Sequence, residues 1–334
     1  MKTTALYYDP RSLNDATRFY VNIVKEVIEE RGDSFTFTTS LKDLKNVDVI
    51  FTITGRYFVN AKLRYPFKKT IFWAQGVAAE EAKMANYGRF SYIMRYLFER
   101  SAVKHADLLL LVSKRMKEYY SHTYGYRGEN YIIMPCFNQS LSSDFNPEQY
   151  KNPTFVYAGG ASIWQGVDLM LDVYKDVEDS IPEAKITILS NQKEQFMQKI
   201  GVRDIKNYEI KYVKLEEMEA ELHKHKYGFI LRENHIVNNV ATPTKMNSYL
   251  SVYLIPIFSD AVCDFAENIK LNEFTIMANC PLDNKTIARQ IIDFENNTHQ
   301  FDGYKGLVES IFDSHYNVNK YKSEISDALK RLKI

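Results

Sequence analysis

The chain has 334 residues, of which 43 are Lys or Arg and 42 are Asp or Glu, so its formal net charge is +1. This balance gives no reason to expect a nucleic-acid partner, and 45% hydrophobic with 25% charged residues excludes a disordered chain. No run approaches the roughly 20 apolar residues of a membrane helix, and the N-terminus lacks the apolar core of a signal peptide. The sequence therefore predicts a cytoplasmic globular protein of about two domains.

Cysteine and histidine usage gives no sign of a metal centre. Cys136, Cys263 and Cys280 lie far apart in apolar stretches, which indicates buried thiols in a reducing compartment. The seven histidines are scattered, without metal-ligand spacing. No metal and no cofactor are expected.

The first part of the chain alternates short apolar runs with amphipathic segments. Apolar residues at helical spacing over 15–31, Ala16 among them, predict a helix that ends at Gly32. Ser113 is predicted to cap a further helix that runs to about Tyr120. Strands are predicted at 5–9, 35–38, 47–53, 70–73, 106–112 and 131–134.

A second series of the same kind follows a break in the pattern. Between Cys136 and Pro153 the residues Asn, Ser, Asp, Pro and Gln dominate, which predicts a linker. Beyond it, helices are predicted at 166–180 and 318–332, and strands at 155–158, 185–189, 208–213, 228–231 and 253–258. The alternation predicts parallel sheets in two doubly wound domains, 1–145 and 153–317.

In such folds ligands bind beyond the carboxyl ends of the strands, and two domains favour the cleft between them. One candidate is the turn 158–166, where Gly159 and Gly160 would let an anion approach the backbone before Trp164 and Gln165. An ordinary tight turn is the alternative. A second candidate is residues 70–81, which would lie on the cleft side of the first domain.

A third candidate follows the strand at 228–231. Arg232 and Glu233 at the strand end form either a structural ion pair or a site. Thr242 before Pro243 predicts a helix start, which would bring Thr244 and Lys245 to a diphosphate. A solvated surface lysine is the alternative for Lys245.

Three segments resemble bacterial GT-B glycosyltransferases of glycosyltransferase family 4, in the branch found in capsular and lipopolysaccharide gene clusters. They are residues 72–77 with Glu80, Glu81 and 106–116; residues 155–166; and residues 231–250. The resemblance implies an α/β fold of two Rossmann-like domains with parallel sheets facing across a cleft, and a C-terminal helix, 318–334, that crosses back to the first domain.

The resemblance also implies a retaining, metal-independent hexosyltransferase in surface polysaccharide synthesis, acting from a nucleoside-diphosphate sugar on a glycan or lipid-linked acceptor. The chain has no Asp-x-Asp motif. The implied catalytic residues are Arg232, Glu233 and Gln75, and the acceptor side is lined by Gln75, Gly76 and Glu80. The implied donor-binding residues are Gly159, Gly160, Trp164, Gln165, Arg232, Thr242, Thr244, Lys245 and Ser248.

Two departures from the family pattern leave other functions open. Ser248 stands where the family has a glutamate that holds the ribose, and Tyr253 stands where it has glycine. A non-catalytic GT-B protein that binds a partner or glycan is therefore the alternative. A nucleotide-sugar epimerase on the same fold is a third possibility.

Residues 89–104 raise the question of a membrane partner. Their spacing predicts a helix with Phe90, Ile93, Met94, Leu97 and Val103 toward the core. Tyr92, Tyr96 and Phe98, with Arg89, Arg95, Arg100 and Lys104, would then suit the headgroups of an anionic bilayer. The expectation is a peripheral protein on the inner face of the cell membrane, and an ordinary core helix is the alternative.

Overall fold

The computed structural model describes residues 1–334 apart from the side chains of Asp15 and Ala16. The predicted position of Ala16 on a buried helix face lies outside the described residues. The chain is α/β, with two six-stranded parallel sheets in the part that the structure describes. It divides into two compact units: unit 1 comprises residues 1–138, 240–242 and 317–334, and unit 2 comprises residues 139–239 and 243–316.

The sheet of unit 1 has the order β2-β1-β3-β4-β5-β6. Its strands are β1 Thr3–Tyr7, β2 Ser34–Thr38, β3 Val49–Thr52, β4 Lys69–Ala74, β5 Leu108–Leu111 and β6 Tyr131–Ile133. The helices between them are α1 Asp15–Glu30, α2 Gly55–Arg64, α3 Ala78–Met84, α4 Arg89–His105 and α5 Lys114–Tyr124. β3 and β5 are buried along their whole length, as expected for central parallel strands.

The sheet of unit 2 has the order β12-β11-β10-β7-β8-β9. Its strands are β7 Thr154–Ala158, β8 Lys185–Leu189, β9 Tyr208–Lys211, β10 Tyr227–Ile230, β11 Ile255–Ser259 and β12 Ile276–Ala278. The helices are α6 Val167–Ser180, α7 Lys193–Arg203, α8 Met218–Leu222, α9 Ile236–Asn239, α10 Lys245–Leu250, α11 Cys263–Asn268, α12 Asn284–Asn296, α13 Asp302–Ser314 and α14 Val318–Arg331, of which α14 belongs to unit 1.

Helix α14 packs against α1 within unit 1. Lys322 of α14 pairs with Glu26 at 2.8 Å and Glu30 at 3.2 Å, and the Tyr321 ring lies 5.7 Å from that of Phe137. Tyr321, Ile325 and Leu329 are buried, so the apolar face of this helix contributes to the core.

Residues 139–153 are integrated into unit 2, whereas the sequence predicts a linker there. The backbone N–H of Gln139 donates to the Asn247 side chain at 2.8 Å, and the Tyr150 hydroxyl donates to the carbonyl of Tyr253 at 2.8 Å. Tyr253 has a φ of 59°, a left-handed conformation that favours glycine. Its buried ring, 5.0 Å from that of Phe145, accounts for a tyrosine at this position.

Helix α4 turns a different face to the unit from the one predicted. Phe90, Ile93 and Leu97, expected in the core, are exposed. Val103 is buried as expected, together with Glu99 and Ala102, which were not expected in the core. Tyr92, Tyr96 and Phe98 are half-buried. The Tyr92 hydroxyl donates to Glu80 and that of Tyr96 to the carbonyl of Thr123, both at 3.4 Å. The tyrosines therefore face inward because the unit supplies acceptors for their hydroxyl groups.

The three cysteines, expected to be buried, are half-buried.

Candidate functional site

The ends of β10 and β11 fix the backbone of Arg232. The backbone N–H of Arg232 donates to the Ser259 hydroxyl at 2.9 Å, and that hydroxyl donates back to the Arg232 carbonyl at 2.6 Å. The two parallel strands pair along their length, so their carboxyl ends are neighbours. The reciprocal bonds hold Arg232 at this edge of the sheet.

The Arg232 side chain is buried, and its guanidinium donates three hydrogen bonds to neutral groups. Nη1 donates to the carbonyl of Trp164 and to the side-chain oxygen of Asn238, and Nη2 donates to Oε1 of Gln165, each at 2.9 Å. Burial lowers the pKa of this guanidinium to about 10, so it stays charged at neutral pH.

Lys245 joins the same group from the start of α10. Its Nζ donates to Oε1 of Gln165 at 2.6 Å and lies 4.9 Å from the centre of the Tyr157 ring. Burial, and then the positive charge of Arg232, lower the pKa of Lys245 well below its ordinary value. We define the cationic cluster as Arg232, Lys245 and the Gln165 amide that the two side chains share.

The cationic cluster lacks a balancing negative charge. Among the residues that the structure describes, neither Arg232 nor Lys245 forms an ion pair with a carboxylate. A buried guanidinium and a half-buried ammonium on one neutral amide are costly in free energy unless an anion compensates them. The arrangement is therefore suited to bind an anion such as a diphosphate.

The glycines of the turn 158–166 allow the close packing on which the cluster depends. A Cβ on Gly159, whose φ is 148°, would lie 2.8 Å from Cε and 2.9 Å from Nζ of Lys245. Gly160 accepts from the Tyr157 hydroxyl at 2.6 Å. Gly166 has a φ of 63°, and a Cβ there would collide with the carbonyl oxygen of Leu231. These contacts favour a specialised turn at 158–166 over an ordinary tight turn.

The predicted helix start lies two residues too early. α10 begins at Lys245 with Thr244 as its N-cap, because the Thr242 hydroxyl accepts from the backbone N–H of Cys136 within unit 1, at 2.8 Å. Ser248 donates to the carbonyl of Thr244 at 3.2 Å, one turn along the helix. α10 has only six residues, so the two cations, rather than a helix terminus, provide the attraction for an anion.

Glu233 does not pair with Arg232 among the described residues. Its side chain is exposed, while its carbonyl accepts from the Asn238 amide at 2.9 Å. Asn238, Tyr157 and Ser259 are functional residues that the sequence did not predict. Ser259 directly follows the strand predicted at 253–258, and a position just after a strand was the signal available for it. Asn238 shows no such signal, because its role depends on contacts across the fold.

A pocket of about 1190 Å³ lies within unit 1. It is lined from the loops after β1, β3 and β4 and from the N-terminal half of α4. This is the carboxyl edge of the sheet, where doubly wound domains bind ligands. The lining residues with chemistry to offer are Asp9, Arg11, Arg56, Gln75, Glu81, Arg95 and Glu99.

The predicted acceptor-side residues fall partly on this pocket. Gln75 lines it and accepts from the Thr17 hydroxyl at 3.4 Å, and Gly76 lines it as well. Glu80 is not among the lining residues that the structure describes. Its carboxylate accepts from the hydroxyls of Tyr92 and Tyr119, both at 3.4 Å. Its neighbour Glu81 lines the pocket instead.

Glu99 supports the loop that carries Gln75 and Gly76. This buried carboxyl accepts from the backbone N–H of Ala78 at 3.1 Å and from the hydroxyls of Tyr120 at 2.9 Å and Tyr124 at 2.8 Å. The Tyr120 hydroxyl also lies 3.0 Å from the carbonyl oxygen of Gly76. Burial raises the pKa of Glu99 to about 7, although its hydrogen bonds to the two tyrosines oppose the rise.

Neither a metal-binding cluster nor a membrane-spanning helix occurs among the described residues. No group of three or more His, Cys, Asp or Glu side chains is arranged to hold a metal ion. Within that same part of the chain, each helix is too short or too polar to cross a membrane.

No protein-family model matches the chain, and no curated protein matches it in sequence. Solved structures do match it. The sucrose-phosphate synthase of Thermosynechococcus elongatus has a TM-score of 0.73 at 12% identity, over 99% of both chains. HepE of Anabaena, solved with UDP-glucose, has a TM-score of 0.73 at 10% identity, over 98% of this chain and 99% of its own.

A mutant of TarM from S. aureus, solved with UDP, fondaparinux and α-GlcNAc-glycerol, has a TM-score of 0.64 at 11% identity. The match covers 85% of this chain and 55% of that one, so the chain spans about half the length of TarM. At sequence identities this low, the similarity shows a shared fold only. The chain accordingly has two Rossmann-like domains with the fold of the GT-B glycosyltransferases.

Proposed function

We propose that the protein is a glycosyltransferase that takes its sugar from a nucleoside-diphosphate donor bound to unit 2. One observation carries the proposal: the charges of Arg232 and Lys245 converge on Gln165 without a carboxylate among the described residues. A diphosphate would supply the missing negative charge. The GT-B fold supports the same function, and HepE, which shares it, was solved with UDP-glucose.

The cationic cluster would act on the leaving group. Breaking the bond between sugar and diphosphate leaves additional negative charge on the diphosphate oxygens. Arg232 and Lys245 would stabilise that charge from fixed positions, which lowers the barrier most when the site is shielded from water. We propose Arg232, Glu233 and Gln75 as the catalytic residues of a retaining, metal-independent transfer, as in family 4.

The donor contacts of this proposal lie around the cluster. Gly159 and Gly160 allow the diphosphate to approach the backbone, and Thr244 and Ser248 offer hydroxyl groups on the first turns of α10. Trp164 and Gln165 orient the arginine. Thr242 is retained as a donor residue from the family resemblance alone.

The acceptor would enter the pocket of unit 1, which Gln75 and Gly76 line. Glu80 on α3 is kept as an acceptor-side residue from the family resemblance alone. We propose a glycan or lipid-linked acceptor in bacterial surface polysaccharide synthesis. The proposal includes a cytoplasmic location, with residues 89–104 in contact with the inner surface of an anionic cell membrane.

The proposal is tested with a panel of UDP-, GDP- and dTDP-sugars, measuring thermal stabilisation and slow hydrolysis. One group of donors should stabilise the protein and be hydrolysed. Arg232→Ala should lower the rate at subsaturating donor at least tenfold, because an arginine–phosphate contact is worth about 1.5–3 kcal/mol. Arg203→Ala is the matched control, since Arg203 pairs with Asp168 and Asp172 elsewhere in unit 2.

Three outcomes would count against the proposal. An unchanged rate in Arg232→Ala would remove this residue from the site. Stabilisation by donors without turnover would favour the non-catalytic alternative, to which Ser248 and the left-handed Tyr253 point. Loss of all activity in EDTA, restored by manganese or magnesium, would contradict metal independence.

A further inference from the structure

We propose that two copies of the chain associate through strand β9, which would join their two unit 2 sheets into one continuous sheet. The two strands would run antiparallel, with Ile210 of one copy beside Ile210 of the other. The inference is independent of the proposed function, because β9 carries none of the proposed donor or acceptor residues.

Strand β9 is the least protected edge of the two sheets. It is the last strand of its sheet, after β8, and none of its residues, Tyr208–Lys211, is buried. Each of the other edge strands, β2, β6 and β12, has at least one buried residue. An edge strand presents unpaired backbone groups that another strand can bind. An edge that is open along its whole length is therefore suited to pairing.

The pairing with β8 decides which backbone groups of β9 are available. The carbonyls of Asn207 and Lys211 accept hydrogen bonds from β8 and from the residue after it, at 3.1 and 3.0 Å. Backbone groups alternate in direction along a strand, so those of Tyr208, Ile210 and Tyr212 face away from β8. The sheet has no further strand on that side. An antiparallel pairing centred on Ile210 would engage all three of these residues.

The charges of β9 identify the partner as a second copy of the same strand. In a pairing centred on Ile210, Glu209 of each copy lies opposite Lys211 of the other. Opposite charges at such positions stabilise an antiparallel pair, whereas like charges destabilise it. A shift of the register by two residues would place Glu209 opposite Glu209, or Lys211 opposite Lys211. The charges therefore favour one register as well as one partner.

Exposed hydrophobic side chains border the strand. Of the six large hydrophobic side chains exposed in unit 2, five lie between residues 197 and 215, and they are Met197, Val202, Tyr208, Tyr212 and Leu215. Tyr212 is 69% exposed and would lie opposite Tyr208 of the second copy, on the face that also carries Ile210. Such a concentration of exposed hydrophobic groups marks an interaction surface.

The charges of β9 also have partners within their own chain. Lys211 Nζ lies 3.0 Å from Glu209 and 2.6 Å from Glu221, and Glu209 lies 3.0 Å from Lys185. Separated copies therefore keep the charges of this edge compensated, which protects it from unspecific pairing. We expect a reversible dimer rather than an obligate one.

The test measures the mass of the protein in solution by light scattering and sedimentation at low salt, over a range of concentrations. The unmodified chain should form a dimer. Glu209→Lys and Lys211→Glu each place like charges opposite each other twice in a symmetric dimer, so each should weaken dimerisation at least tenfold. The matched control is Glu267→Lys, at an exposed position of α11, which follows β11 toward the opposite side of the sheet.

Mixing the two charge variants tests the register directly. A dimer with one copy of each variant again has opposite charges at both pairs, so an equimolar mixture should recover the dimer that neither variant forms alone. No recovery on mixing would overturn the proposed pairing. A chain that stays monomeric at every concentration would overturn the proposal, and so would a dimer that both charge variants retain.

A backbone variant keeps the test valid if Lys211→Glu, close to Glu221, fails to fold. Ile210→Pro removes a backbone N–H that faces away from β8, so the hydrogen bonds between β8 and β9 are kept. The expected result is a folded monomer, with a cooperative melting transition. A folded Ile210→Pro variant that still forms the dimer would exclude pairing through this edge.

These measurements need no nucleotide sugar, so their outcome is separate from that of the proposed function.

Discussion

Arg232 and Lys245 share one hydrogen-bond acceptor, Oε1 of Gln165, which lies 2.9 Å from the arginine nitrogen and 2.6 Å from the lysine nitrogen. A single neutral oxygen thus holds two cations that would otherwise repel each other. The contact positions the two side chains for an anion without neutralising their charge. A carboxylate at position 165 would keep the contact but remove the positive charge.

Replacing Gln165 with glutamate should stabilise the protein and weaken its binding to nucleotides. The new carboxylate would pair with both cations and neutralise the positive charge that attracts a diphosphate. We expect a higher melting temperature with at least tenfold weaker UDP binding in calorimetry. Gln192→Glu is the matched control, because the Gln192 oxygen accepts from the backbone of Ala161 rather than from a cation. Tighter UDP binding in Gln165→Glu would exclude the cluster as the diphosphate site.

Nucleotide binding should take up a proton at Lys245. Burial and Arg232 lower the pKa of this amine, and a diphosphate between the cations would raise it again. Protons therefore move onto the uncharged fraction of Lys245 as the ligand binds, and affinity increases as the pH falls. Calorimetry of UDP binding in buffers of different ionisation enthalpy measures the uptake. Lys245→Met should abolish it, and equal uptake in that variant would assign the proton to another group.

Gly166→Ala should destabilise unit 2. The backbone at Gly166 is left-handed, and the added methyl group would collide with the carbonyl oxygen of Leu231. The expected loss in the free energy of unfolding is about 1–3 kcal/mol, measured by urea denaturation. In Gly201→Ala the new methyl group meets no atom within 4 Å inside α7, so this control should be neutral or stabilising. Similar effects of the two changes would contradict the argument.

Glu99 should make stability depend on pH. Its pKa is raised from an ordinary 4.5 to about 7, so between these values the folded state keeps a proton that the unfolded state has lost. Its contribution is fully present below pH 4.5 and is lost as the pH rises through 7, a change of roughly 1–3 kcal/mol. Glu99→Gln should flatten this decline in denaturation curves between pH 5 and 8. An unchanged slope would assign the pH dependence elsewhere.

The sequence predicts the cluster in part because its local signals are strong. A buried run that ends in Arg232 identifies a strand end, and strand ends are ligand sites in this fold class. The hydrogen-bond partners of the Arg232 side chain are harder to predict from the sequence. Trp164 and Gln165 come from the turn 158–166 and Asn238 from α9, and no periodicity encodes their meeting with Arg232.

Helix α4 shows where hydrophobic patterning misleads. Ranked by hydropathy, Phe90, Ile93 and Leu97 are the better core residues, and the tyrosines are the worse ones. The structure reverses the order because a tyrosine ring buries as much apolar surface as a phenylalanine once its hydroxyl has an acceptor. Glu80 and the carbonyl of Thr123 supply those acceptors, and neither is visible from the helix sequence.

The return of α14 to unit 1 has a consequence for the order in which the protein can fold during synthesis. Apart from residues 240–242, which belong to unit 1, unit 2 is an insertion between residue 138 and residue 317 of its host, so residues 317–334 of unit 1 leave the ribosome after all of unit 2. Until then α1 lacks the helix that packs against it, and unit 2 can complete its own core first. A nascent chain stalled just before α14 would expose an incomplete first unit to chaperones and proteases beside a finished second one.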